Sequence, residues 1–252
     1  VLNPAGNLPG EEIENMSKDI KAYISEFIGT FALVFLGSAS VWFISTTPGY
    51  AGGTTVPAFA HGIAIVFAAY SIGSISGAHI NPAVTIAVAI AGGISWVKAG
   101  IYIVVQILAA IVAALVLSLF LPAGAAANFG AFNYTATATN SIGAMFIEAI
   151  LTFFLAFVVC QGAVKGKAGN MAGLAIGLTL AASIFAGGAI TGASLNPARS
   201  IGPAIIAGQL GNIWIYIIGP ILGAVVASVI STYVLTDDID KTPPNKNTGR
   251  RQ

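Results

Sequence analysis

The sequence predicts an all-α integral membrane protein with six transmembrane helices and two re-entrant half-helices, arranged as an inverted repeat. Three observations carry this: a composition suited to lipid, six long apolar runs with two short ones between them, and an internal likeness between the two halves. Of 252 residues, 56% are hydrophobic and 8% are charged, where a soluble domain carries roughly a quarter charged residues. The mean hydropathy is +0.89. A net charge of +1 argues against a nucleic-acid partner. Cys160 is the single cysteine, which excludes an internal disulfide or a thiolate metal cluster, and no cofactor or metal is expected.

A membrane-crossing helix needs about 20 apolar residues. Six stretches qualify: 20–44, 58–75, 97–120, 141–161, 170–188 and 212–235. The polar segment before the first is expected to be a tail (1–19) with no cleaved leader. Two further apolar segments, 81–91 and 196–207, are too short to cross. The expected division is a first repeat over 20–120, an outer connection over 121–140, a second repeat over 141–235 and a polar tail over 236–252, broken by Pro243-Pro244.

Charge sets the expected orientation. Apart from Arg199, every Lys and Arg falls in four places: Lys18 and Lys21, Lys98, Lys165 and Lys167, and the tail with Lys241, Lys246, Arg250 and Arg251. With six spans these share one side, whereas connections 46–57 and 122–140 hold no charge. The positive-inside rule then puts both termini in the cytoplasm.

The halves align. Ser76-Gly77-Ala78-His79-Ile80-Asn81-Pro82-Ala83-Val84-Thr85 matches Thr191-Gly192-Ala193-Ser194-Leu195-Asn196-Pro197-Ala198-Arg199-Ser200, and Glu26 to Phe31 matches Glu148 to Phe153. Copies with an odd number of spans must lie upside-down to one another. Asn is a strong N-cap and Pro suits the first helical position. Each box should therefore start a half-helix, one ending near Gly92-Gly93 and the other near Gly208. Their N-termini would meet at the midplane, both positive dipole ends converging there. Irregular backbone before each box is tolerable only along a wet cavity. A third Asn-Pro-Ala, at residues 3–5, precedes no apolar helix and is coincidence.

Paired boxes (Asn81, Pro82, Ala83; Asn196, Pro197, Ala198) in inverted three-span repeats resemble the major intrinsic protein (aquaporin) family over nearly the whole chain. The resemblance implies passive conduction of water and other small neutral solutes without protons or ions, no enzyme activity, and a homotetramer with one pore per subunit. It also implies that Glu26 and Glu148 hold the re-entrant loops by accepting their N–H groups, with His79 packing against the first loop. A proton-coupling carboxylate is the alternative for these glutamates. The family's four filter positions fall on His61, Ile184, Ala193 and Arg199. They depart from the water-selective and glycerol patterns and are most similar to the plant tonoplast intrinsic protein group, associated with water plus ammonia or urea. The resemblance leaves the cell membrane as the expected location, with a vacuolar-type membrane as the alternative. A charged His61 beside Arg199 would crowd the mouth, so acid should reduce flux.

Two rivals are weighed. An inverted-repeat secondary transporter would use the same broken helices. An intramembrane serine protease would need Ser194 as nucleophile, yet Ser194 aligns with His79 and precedes a capping Asn.

Overall fold

In the computed structural model the chain is described over residues 9–121, except 48 and 50, and over 131–235, with side chains from Met16 onward. The tail expected over 236–252, the box at 3–5 and residues 122–130 of the connection expected over 121–140 lie outside the described residues. Among the described residues there are eight α-helices: α1 (Pro9–Thr46), α2 (Thr55–Ser76), α3 (Pro82–Ile90), α4 (Trp96–Phe120), α5 (Ser141–Val158), α6 (Ala172–Thr191), α7 (Pro197–Ala207) and α8 (Ile215–Val229). Six helical stretches are long and apolar enough to cross a membrane, and α3 and α7 are the two short ones. The expected and observed spans coincide to within a few residues except at the start. There α1 begins at Pro9, well before residue 20, because proline suits a first helical turn and no breaker interrupts the helix before the apolar run. Wide turns over 159–164 and 230–234 carry α5 and α8 to their ends.

Each half-helix starts as its sequence dictates. Asn81 and Asn196 are extended, and each side-chain oxygen accepts the amide of the alanine two residues on, with Arg199 N–H also reaching Asn196. At 1.5 Å per residue, α3 and α7 are about 14 Å and about 17 Å long, half the hydrocarbon thickness. Gly208, left-handed at φ 68°, closes α7. α3 instead ends on Ala91 in a right-handed conformation, just before Gly92.

The repeat governs packing. α7 rests on α4, where Gly202 meets the Ala110 backbone; α3 rests on α8, where Ser228 Oγ donates to Ala87 O at 2.7 Å. Within the second repeat α8 lies against α5 so closely that a Cβ on Gly219 would stand 2.5 Å from Met145 O, and one on Gly223 would overlap Ala149 O. The small-residue spacing at 219 and 223 thus serves packing inside one chain. Outside the buried site, Lys98 pairs with Asp19 at 2.5 Å and Lys165 Nζ donates to Ser231 O at 2.7 Å.

Gly223→Leu should overpack this contact and lower the unfolding midpoint in detergent by about 5 °C or more. Gly100, whose missing side chain would meet open space, should accept alanine without loss. Thermal unfolding of both variants measures the difference.

Candidate functional site

The two boxes meet. Asn81 Nδ2 donates to Leu195 O at 2.8 Å, and Asn196 Nδ2 donates to Ile80 O at 2.9 Å. Each asparagine thus caps its own half-helix with its oxygen and ties itself to the opposite loop with one amide hydrogen. The loops before the boxes are strained. Ala78, Ile80, Ala193 and Leu195 all have φ between 44° and 55°, a left-handed conformation that costs a non-glycine residue about 1–3 kcal/mol. What holds them is a buried carboxylate in each half.

Glu26 is fully buried and accepts four hydrogen bonds: Ser76 Oγ at 2.7 Å, His79 N at 2.9 Å, Ile80 N at 2.7 Å and Gln106 Nε2 at 2.9 Å. Glu148, equally buried, accepts Thr191 Oγ1 at 2.7 Å, Ser194 N at 3.0 Å and Leu195 N at 2.9 Å. The same two loop amides are bound in each half. Tyr102 and Tyr216 complete the symmetry, donating to Ser76 O at 2.9 Å and Thr191 O at 2.7 Å. A buried carboxylate is costly unless donors surround it, and these donors are the loops' own amides. The oxygens of both glutamates are thus occupied by structural donors.

Ser76, Thr191, Tyr102 and Gln106 were not singled out from the sequence. Ser76 and Thr191 head the aligned boxes, so the repeat carried a signal for them. Tyr102 stands in the third span of its half, and its contact was legible only with the loop in place. His79 sends its backbone N–H to Glu26, and its ring packs edge-on to Tyr102 at 5.3 Å. That ring also faces the cavity, with Nδ1 lacking a hydrogen-bond partner.

A cavity of about 500 Å³ runs between the half-helices. His61 and Arg199 line it at one end, Asn81 and Asn196 in the middle, and His79, Tyr70 and Asn170 at the other. Between them the wall is largely apolar, with Ile65, Val84, Leu155 and Ile176.

Of the four filter positions, two are in direct contact. Arg199 Nε donates to His61 Nε2 at 2.8 Å, and His61 Nδ1 donates to Pro57 O at 2.6 Å. Both contacts require a neutral imidazole carrying its proton on Nδ1, so a second proton on the ring has to break the bond to Arg199. Ile184 and Ala193 lie in the adjoining apolar cluster with Leu151, Leu155 and Leu195. A residue missed from the sequence completes the group: the Arg199 guanidinium sits 3.5 Å over the ring of Phe132, within cation–π range. Phe132 belongs to the outer connection, which Thr135 fastens to α6 through Ile190 O at 2.8 Å and Ala189 O at 3.0 Å. Nothing local in the sequence marked it. Ser194 Oγ donates to Asn196 O at 3.0 Å and shares a 2.5 Å hydrogen bond with Ser200 Oγ, so it serves the box and no histidine activates it.

The comparisons with known proteins agree with this geometry. A family model described as major intrinsic protein matches residues 12–231. The chain belongs to that family. Aquaporin NIP1-3 of Oryza sativa subsp. japonica is 41% identical over 206 residues, covering 80% of this chain and 69% of the relative. Aquaporin TIP1-2 of Zea mays is 42% identical over 218 residues, covering 83% and 84%. The X-ray structure of the aquaglyceroporin from Plasmodium falciparum superposes with a TM-score of 0.75 at 24% identity, over 86% of this chain and 97% of that one; at that identity the likeness speaks for the fold. Family membership makes the chain a multi-pass membrane channel for water or small solutes, not an enzyme.

Glu26→Ala would orphan two loop amides at about 1–3 kcal/mol each and should yield little folded protein. Tyr102→Phe and Tyr216→Phe each lose one hydrogen bond, about 1 kcal/mol, and should lower the midpoint by a few degrees. Size-exclusion profiles and thermal unfolding in detergent distinguish the two classes.

Proposed function

We propose that the chain is a passive pore for water and ammonia that excludes protons and ions. The observation that carries this reading is the pair of asparagines at the centre of the cavity. Each has one amide hydrogen committed to the opposite loop and one left for a permeating molecule. A water whose oxygen accepts from both cannot pass a proton along, and two converging helix N-termini repel a cation. The apolar wall on either side supplies few competing partners, so molecules move in file through the centre.

The filter reading rests on His61, Ile184, Ala193 and Arg199. Arg199 offers donors at one edge, held aside by His61, and the apolar cluster holding Ile184 and Ala193 stands beside them as the proposed apolar wall. Ammonia, like water, is small, neutral and able to accept from Arg199, and an apolar wall keeps the cost of one lost hydrogen bond low. Glycerol needs more width and several partners.

The remaining features extend the same reading. Lys18, Lys21, Lys98, Lys165 and Lys167 give the positive-inside signal for cytoplasmic termini. The domain plan is two inverted three-span repeats joined by an outer connection. Homotetrameric assembly, with lipid around it, is part of the same proposal. A TIP-type relative at 42% identity supports a vacuolar-type membrane as the alternative to the cell membrane.

Liposomes holding the protein should shrink faster than bare vesicles under osmotic shock, with low activation energy and no proton current; flux equal to bare lipid sinks the proposal. Ile184→His should lower ammonia relative to water, which internal-pH and light-scattering traces read together. Cys160 is buried, so the native channel should resist mercurials, and Ala193→Cys should become sensitive because a thiolate there would hold a soft metal in the pore. Block of the native protein that survives Cys160→Ser would show another site at work.

A further inference from the structure

The glycines of the bundle differ in what a side chain would meet. Gly62 and Gly177 face each other's backbone carbonyls, and Gly219 faces Met145 O. These glycines let two helix backbones approach. Gly37, in the body of α1, differs: the three nearest atoms are Nε2, Cδ2 and Cε1 of one side chain, His61. A Cβ at position 37 would overlap Nε2 itself and stand 2.5 Å from both ring carbons. Glycine is a poor helix former, and Gly37 is buried in an otherwise continuous helix, so the position answers to the imidazole.

The atom displaced matters. His61 Nε2 is the acceptor for Arg199 Nε, so a methyl at 37 would take the space that the hydrogen bond requires. The ring has no easy retreat, because Nδ1 is fixed to Pro57 O at 2.6 Å. On its other face Arg199 meets Phe132, and Phe132 in turn packs on Gly192, where a Cβ would overlap its ring. Gly192 also has φ 87°, so substitution there mixes backbone strain with the steric effect. Gly37 is helical and carries no such confusion.

We infer that Gly37 is a positioning residue of the selectivity filter: it seats the His61 imidazole so that Nε2 holds Arg199 to the side of the pore. Gly37 itself touches neither the guanidinium nor a solute. The inference rests on the channel reading for its consequence in selectivity, though the seat itself is a matter of structure.

The test uses wild type, Gly37→Ala, His61→Ala and the double variant, each purified and reconstituted. Water flux is read by osmotic shrinkage and ammonia flux by the rise in internal pH. Gly37→Ala should shift the ammonia-to-water ratio by about threefold or more, and the same change made on His61→Ala should shift it by less than about 1.5-fold, since effects that run through one group are not additive. A wild-type ratio in folded Gly37→Ala overturns the inference, as does an equal shift in both backgrounds. If Gly37→Ala alone fails to fold, recovery in the double variant supports the seat, and failure of both makes Gly37 a packing residue and overturns it. A second readout is independent of conduction. The chain has two histidines, so the imidazole nitrogen-15 spectrum is assignable by comparison with His61→Ala. Gly37→Ala should move the His61 Nε2 line and leave His79 in place; an unmoved His61 line overturns the seat. Wild-type vesicles that conduct nothing would sink the channel reading, while the spectrum would still decide the role of Gly37.

Discussion

Non-helical backbone in the middle of an apolar bundle has to find partners for its amides inside the bundle, because lipid offers none. Here the partner is a single carboxylate per half. Glu26 and Glu148 each bind two successive loop amides and a hydroxyl at the head of the loop. The exchange is mutual: the carboxylate is sheltered from bare burial by donors, and the strained loop is held by the carboxylate. Removing either partner leaves the other uncompensated. The position of the asparagines, the meeting of the half-helices and the cavity between them all depend on that bond set.

Symmetry built the frame, and departures from symmetry set the two ends of the cavity apart. Glutamate, hydroxyl, tyrosine and asparagine recur in both halves with matching partners. Arg199 does not, since its counterpart in the aligned boxes is Val84. The second half therefore carries a cation where the first carries an aliphatic side chain. Its partners come from elements the repeat does not relate: His61 from α2 and Phe132 from the connection between halves. His79 is the converse case, an imidazole ring in the first half where the second has Ser194. The result is a pore with a polar constriction at one end and a largely apolar run toward the other.

Hydrophobicity in lengths near 20 residues determined the six spans, and the paired boxes determined where two half-helices begin, because Asn caps and Pro starts a helix by local chemistry alone. The duplicated boxes and glutamates determined the inverted arrangement. These features need only neighbours in sequence, or a chain compared with itself. What only the tertiary structure decided is which side chains touch across distant segments: Tyr102 on the Ser76 carbonyl, Gln106 on Glu26, Phe132 over Arg199, Gly37 behind His61. Each pairs residues far apart in the chain through a contact of a few ångströms, set by how closely the helices pack. No local pattern encodes that distance.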